Sequence, residues 1–185
     1  MARRLGAVRG RTAVAAGVLV TVLLLVGVYW FAIRQATAEP RVLVPRLAAT
    51  IGEGSEAIGV AADGGLVRWL PLPEEPPLPR LPLDGPPKGG RVKGPALEQV
   101  RILAAVPDAL RPYVESSSYG ESGVDVNLTT GIELRFGDAS KLERKWRAAA
   151  AVLADPEVTA LDYVDLHAPS RPAFGGSEHE LPPLP

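Results

Sequence analysis

The chain of 185 residues is 46% hydrophobic and 22% charged, with a formal net charge of −1. That length fits one domain of ordinary size, and the charge balance gives no electrostatic case for a nucleic-acid partner. Cysteine is absent, which excludes disulfide staples and thiolate chemistry.

The near-neutral total conceals an asymmetry, because Arg3, Arg4, Arg9 and Arg11 all precede the first acidic residue, Glu39. They flank Ala13 to Ile33, a run of 21 residues without a charge. A helix of that length spans ~31 Å, close to the hydrocarbon thickness of a bilayer. Tyr29, Trp30 and Phe31 stand at its far end, where aromatic rings favour the membrane interface. By the positive-inside rule the basic tail, residues 1–12, is cytoplasmic and the span is a transmembrane helix over 13–33. Ala36-Thr37-Ala38 has the small-x-small pattern of a signal-peptide cleavage site. The apolar run exceeds the about 7–15 residues of a signal peptide, which favours a retained anchor. Both readings export everything after residue 38.

Residues 34–56 are weakly patterned and read as a linker. Ala57 to Ala61 and Leu66 to Leu70 are short apolar strands split by the turn signal Asp63-Gly64-Gly65. Pro71 to Pro87 is dense in proline, which forbids regular structure. Leu72, Leu78, Leu81 and Leu83 alternate with those prolines, so the segment is expected to wrap over the domain surface rather than serve as a free ligand. Pro95 opens a helix with Leu97, Val100 and Leu103 on one face. Strands follow at Tyr113 to Ser118, Val124 to Thr129 and Ile132 to Phe136. The last two alternate apolar and polar residues at the period of half-buried antiparallel strands. Ser140 and Glu143 have capping-box spacing before a second helix, whose Leu142, Trp146, Ala149, Ala150 and Leu153 share a face. The basic cluster Lys141, Arg144, Lys145 and Arg147 reads as a solvated helix face. Asp155-Pro156 stops that helix, Ala160 to Leu166 forms the last strand, and a Pro-rich tail ends the chain.

Residues able to carry chemistry do not converge. His167 and His179 stand apart, with no cysteine nearby and no further ligands at chelating spacing. Asp162 and Asp165 lie three apart on an expected strand and face opposite ways. No Gly-rich loop follows a strand in the way phosphate binding requires. The residues therefore point to no catalytic set, no metal site, no cofactor and no small-molecule substrate.

Gly131-Ile132-Glu133-Leu134-Arg135-Phe136-Gly137-Asp138, then a helix with Leu142 and Lys145, then Tyr163-Val164-Asp165-Leu166 resembles the FtsQ/DivIB family of bacterial cell-division proteins. Ala62-Asp63-Gly64-Gly65-Leu66 and the Leu-Pro repetition at Leu78 to Leu83 are similar to that family's Asp-x-x-Gly turn and following segment. The resemblance covers residues 57–176, with the basic tail and anchor in the expected order. It implies an α+β architecture: an N-terminal transmembrane helix, then a small extracytoplasmic FtsQ-type β domain with an antiparallel or mixed sheet and two helices. It further implies a non-catalytic bitopic scaffold of the divisome in the bacterial cell membrane. Such a scaffold recruits FtsB/FtsL-type partners to the septum and helps to control septal peptidoglycan synthesis. By position, the implied docking residues are Tyr163, Val164, Asp165, Leu166, Ala168, Ser170 and Phe174. His167 and Ala168 depart from the Arg and the larger residue common there. The family usually places a POTRA domain between anchor and β domain. Residues 34–56 leave room for a remnant at most, and residues 177–185 are expected to be a disordered tail. The alternative is an anchored or secreted cell-wall-associated enzyme or binding module with no part in division.

Overall fold

The computed structural model describes residues 45–183. The expected cytoplasmic tail, transmembrane helix 13–33 and first part of the linker, 34–44, lie outside the described residues. Among the described residues no helix is long and apolar enough to cross a membrane.

Three short strands come first: β1 (Leu47–Ile51), β2 (Ile58–Ala61) and β3 (Leu66–Val67), paired antiparallel in that order. The expected linker is corrected here. Leu47 to Ile51 is an uninterrupted apolar and small run, and all five residues are buried. Asp63 makes the turn before β3 by accepting the Gly65 amide at 2.9 Å and pairing with Arg91.

Helix α1 (Pro95–Ala104) starts on proline and buries Val100, Ile102 and Leu103 against β1, β2, β4 and β5. A five-stranded sheet then runs in spatial order β4 (Val114–Gly120), β5 (Gly123–Leu128), β6 (Glu133–Gly137), β7 (Ala160–Asp165), β8 (Ala173–Glu180). Every neighbouring pair is antiparallel except β6 with β7, which are parallel because helix α2 (Leu142–Leu153) crosses between them. The fold is thus α+β, with a mixed sheet and two helices.

The proline-rich segment lies down, as its leucines require. Leu70, Leu72 and Leu78 cover Leu47, Ala61 and Val67 on one face of the small sheet, while Leu81 enters the main core. It also joins the two sheets. The Thr50 amide donates to the Pro79 carbonyl at 2.9 Å, and the Leu81 amide returns to Thr50 at 2.8 Å. On its other side the Arg80 amide donates to Glu115 at 2.9 Å, and Ser117 donates to Arg80 at 3.2 Å. Proline has no amide to give, so the segment pairs only where Arg80 and Leu81 supply two consecutive donors.

The capping box at Ser140 and Glu143 does not form. Lys141 adopts a left-handed conformation at the start of α2, with no side-chain cap bond. The Ser140 amide and hydroxyl both donate to the Asp138 carboxylate, at 3.1 and 2.7 Å, which turns that hydroxyl away from the helix amides. The helix face itself is as expected, with Trp146, Ala149 and Leu153 buried.

Candidate functional site

The described chain ends on an open sheet edge. Residues 160–166 were expected to be the final strand, with 177–185 a disordered tail; the first expectation is corrected, and the second is corrected over residues 177–180, while 184–185 lie outside the described residues. Strand β7 is internal, paired with β6 on one side and β8 on the other. Ser177 to Glu180 belong to β8, which has no protein neighbour on its outer side among the described residues. Gly175-Gly176 and the charged Glu178-His179-Glu180 disguise this strand, since none has the apolar alternation by which strands are recognised.

The two strands are in register at both ends, with one shift between Leu161 and Tyr163. Asp165 faces Ala173, Val164 faces Phe174 and Tyr163 faces Gly175, after which β8 bulges and pairing resumes at Leu161 with His179. Directly paired residues share a face. Phe174 therefore lies on the side of Val164, the face that carries the core, yet its side chain is 46% exposed. It extends the apolar face beyond the cover of the helices.

Of the residues singled out by position, Val164 and Leu166 are fully buried core side chains and cannot be touched from outside. Tyr163 and Asp165 are half-buried. Arg135 stacks over the Tyr163 ring at 4.2 Å, and Asp165 is engaged with His167. Ala168, Ser170 and Phe174 are exposed. Ala168 and Ser170 line a groove of about 560 Å³ whose opposite wall is Lys141, Arg144 and Arg147 of the α2 region. Of the expected solvated basic face, Lys141, Arg144 and Arg147 form one side of this groove, whereas Lys145 is buried.

His167 latches this corner. Its Nδ1 lies 2.8 Å from the Asp165 carboxylate and its Nε2 lies 3.2 Å from the Ser122 carbonyl in the β4–β5 turn. Both partners are acceptors, so only the doubly protonated imidazole satisfies both. The ring's pKa is accordingly raised, first by the Asp165 hydrogen bond and then by the Ser122 carbonyl. For Asp165, burial pushes the carboxyl up, but the His167 amide and imidazole outweigh it and hold the group below its ordinary value.

Lys145 pins the turn between β6 and α2. Its ammonium is buried and donates to the Phe136 carbonyl at 2.7 Å, the Asp138 carbonyl at 2.9 Å and the Asp138 carboxylate at 2.7 Å. Hydrogen bonds from Lys145 and then Ser140 hold the Asp138 carboxyl well below the usual carboxylate range.

An α+β domain with a latched corner and an open, mostly exposed edge strand has the form of a protein-binding module. Residues 49–167 match the family of the cell division protein FtsQ/DivIB, C-terminal domain, and the chain belongs to that family. Its role is in cell division. No curated protein matches the chain.

Proposed function

We propose that this protein is a bitopic, non-catalytic scaffold of the bacterial divisome whose exported domain recruits an FtsB/FtsL-type partner to the septum and helps to control septal peptidoglycan synthesis. In this reading residues 13–33 anchor the chain in the cell membrane, residues 1–12 stay in the cytoplasm, and the domain from β1 to β8 lies outside. Because β1 begins at Leu47, residues 34–46 are too few for a POTRA domain between span and sheet.

The observation that carries the docking reading is the outer edge of β8 at Ala173 to Gly175. There the register is regular, and an exposed aromatic stands beside unpaired backbone. Such an edge accepts a partner strand, with main-chain hydrogen bonds supplying affinity and alternate side chains supplying selectivity. Phe174 is the apolar anchor, and Ala168 and Ser170 receive the partner in the groove against α2. Tyr163, Val164 and Asp165 hold β8 in place from behind, and Leu166 ties the end of β7 to Arg135, rather than meeting the partner through side chains.

Phe174→Asp tests this without a folding confound, since the ring is not core. Loss of FtsB/FtsL-type capture from membranes at an unchanged melting temperature supports the reading, and undiminished capture overturns it. Alkaline phosphatase fused after residue 185 tests the topology. Activity is the expected result, and an active reporter only when a cytoplasmic enzyme is fused there would reverse the orientation.

A further inference from the structure

We propose that Asp162, Glu178 and His179 form a binding site for a divalent transition cation of the zinc class, built on the bulge between β7 and β8. One donor atom from each residue lies within 4.8 Å of the other two. In sequence these residues are 16 and 17 positions from Asp162, a spacing that suggests no chelate. The strand pairing unites them. Register passes from Leu161 with His179 to Tyr163 with Gly175, so Asp162 stands opposite the bulged segment and reaches Glu178 and His179 together.

The side chains are held in place for this. Asp162 Oδ1 accepts the Glu178 amide at 2.7 Å, which aims the carboxylate and leaves Oδ2 open. Two glycines clear the space around the donors. A Cβ on Gly176, at φ +93, would come within 2.1 Å of Asp162 Cγ, and one on Gly131, at φ +96, would meet the His179 ring at 2.6 Å. Gly131 lies in the β5–β6 turn and Gly176 in the bulge of β8, so the two ligands are seated independently. Electrostatics point the same way. Asp162 and Glu178 put two carboxylates side by side, and among the described residues neither makes an ion pair with a lysine or arginine.

The donor set selects the class. One imidazole nitrogen with two carboxylate oxygens suits zinc and its neighbours, whereas calcium takes about six to eight oxygens and magnesium retains water in preference to nitrogen. Bond lengths of ~2.0–2.2 Å place tetrahedral ligands roughly 3.4 Å apart. The flexible, exposed Glu178 side chain supplies the remaining closure, and water completes the shell. A bound cation would add a cross-link between β7 and the second half of β8, beyond the Ala173 to Gly175 edge, so the inference stands whether or not that edge docks a partner.

The test is calorimetric titration of the EDTA-stripped full-length chain, in detergent, with zinc chloride alone. One equivalent per chain is expected. His179→Ala and Asp162→Asn should each weaken binding at least about tenfold, the lower end of what loss of even an outer partner of a metal site costs. His167→Ala removes the only other histidine and should leave binding intact. Metal-free melting of His179→Ala within the wild-type range establishes that the fold survives. Absence of a one-to-one isotherm, or wild-type affinity in His179→Ala, overturns the site. Equal affinity for calcium overturns the zinc class.

Discussion

Trp146 Nε1 donates a 3.1 Å hydrogen bond to the Ile102 carbonyl, tying the middle of α2 to the last turn of α1 across 44 residues. The indole is 1% exposed, and its ring centroid lies 4.6 Å from that of Phe136 on β6. One side chain therefore joins both helices and the sheet. Trp146→Ala should cost about 3–5 kcal/mol in urea unfolding, by cavity formation and loss of contacts. Trp146→Phe keeps much of the volume but leaves a helix-end carbonyl with one donor fewer, so a smaller loss is expected. A loss below about 1 kcal/mol for the alanine variant would contradict this core.

The domain boundary is equally testable. A fragment of residues 57–176 removes β1 and cuts β8 at the bulge. Ala48, Ala49 and Ile51 belong to the main core, and Thr50 is the residue through which Arg80 joins the sheets. The tail matters too, since the Tyr113 hydroxyl donates to the Pro183 carbonyl at 2.7 Å. Residues 45–185 should melt as one cooperative unit. The shorter fragment should show a broad transition or none, by circular dichroism.

Lys145 predicts the acid limb of stability. Asp138 has a depressed pKa, so its contribution is full above the ordinary carboxylate value of 3.8 and is lost as pH falls through the folded-state value. Lys145→Met removes the donor that holds that carboxylate and leaves the Phe136 carbonyl without it, at a cost of about 1–3 kcal/mol. The variant should also flatten the acid limb. An unchanged slope between the two proteins below pH 4 would separate the Lys145 contacts from the titration.

His167 predicts the opposite limb. Its pKa is raised above 6.5, so its contribution is full below that value and is lost as pH rises through the folded-state value. Melting temperature should therefore fall in the wild type as pH rises above 6.5 and through the folded-state value. His167→Gln should lose most of that dependence. Persistence of the full slope in the variant would assign it to another group.

Much of the interior was legible before any coordinates. Period-2 alternation at Val124, Val126 and Leu128 needs only one buried sheet face, and the helical repeat through Leu142, Trp146 and Leu153 needs only one buried stripe. Such patterns are local, because burial on one side writes a period into the residues themselves. The family resemblance rested on the same stretch. By itself, then, the sequence determined the two helices, the strands from β4 to β7, the wrap of the proline-rich segment and the absence of thiol chemistry. The open edge is a different kind of feature. β8 is exposed along most of its length, so nothing selects apolar residues at alternate positions, and Gly175, Gly176 and Ser177 read as coil until backbone pairing to β7 makes them a strand. The capping box failed for a related reason: the Asp138 carboxylate, held by Lys145, accepts the Ser140 hydroxyl that would have capped the helix. The bonds at Arg80, the His167 bridge from Asp165 to Ser122 and the meeting of Asp162 with His179 all depend on groups distant in the chain. Hydrogen bonds and ion pairs reach only a few ångströms, so which of these partners meet was decided by the packing of the sheet and not by any spacing along the sequence.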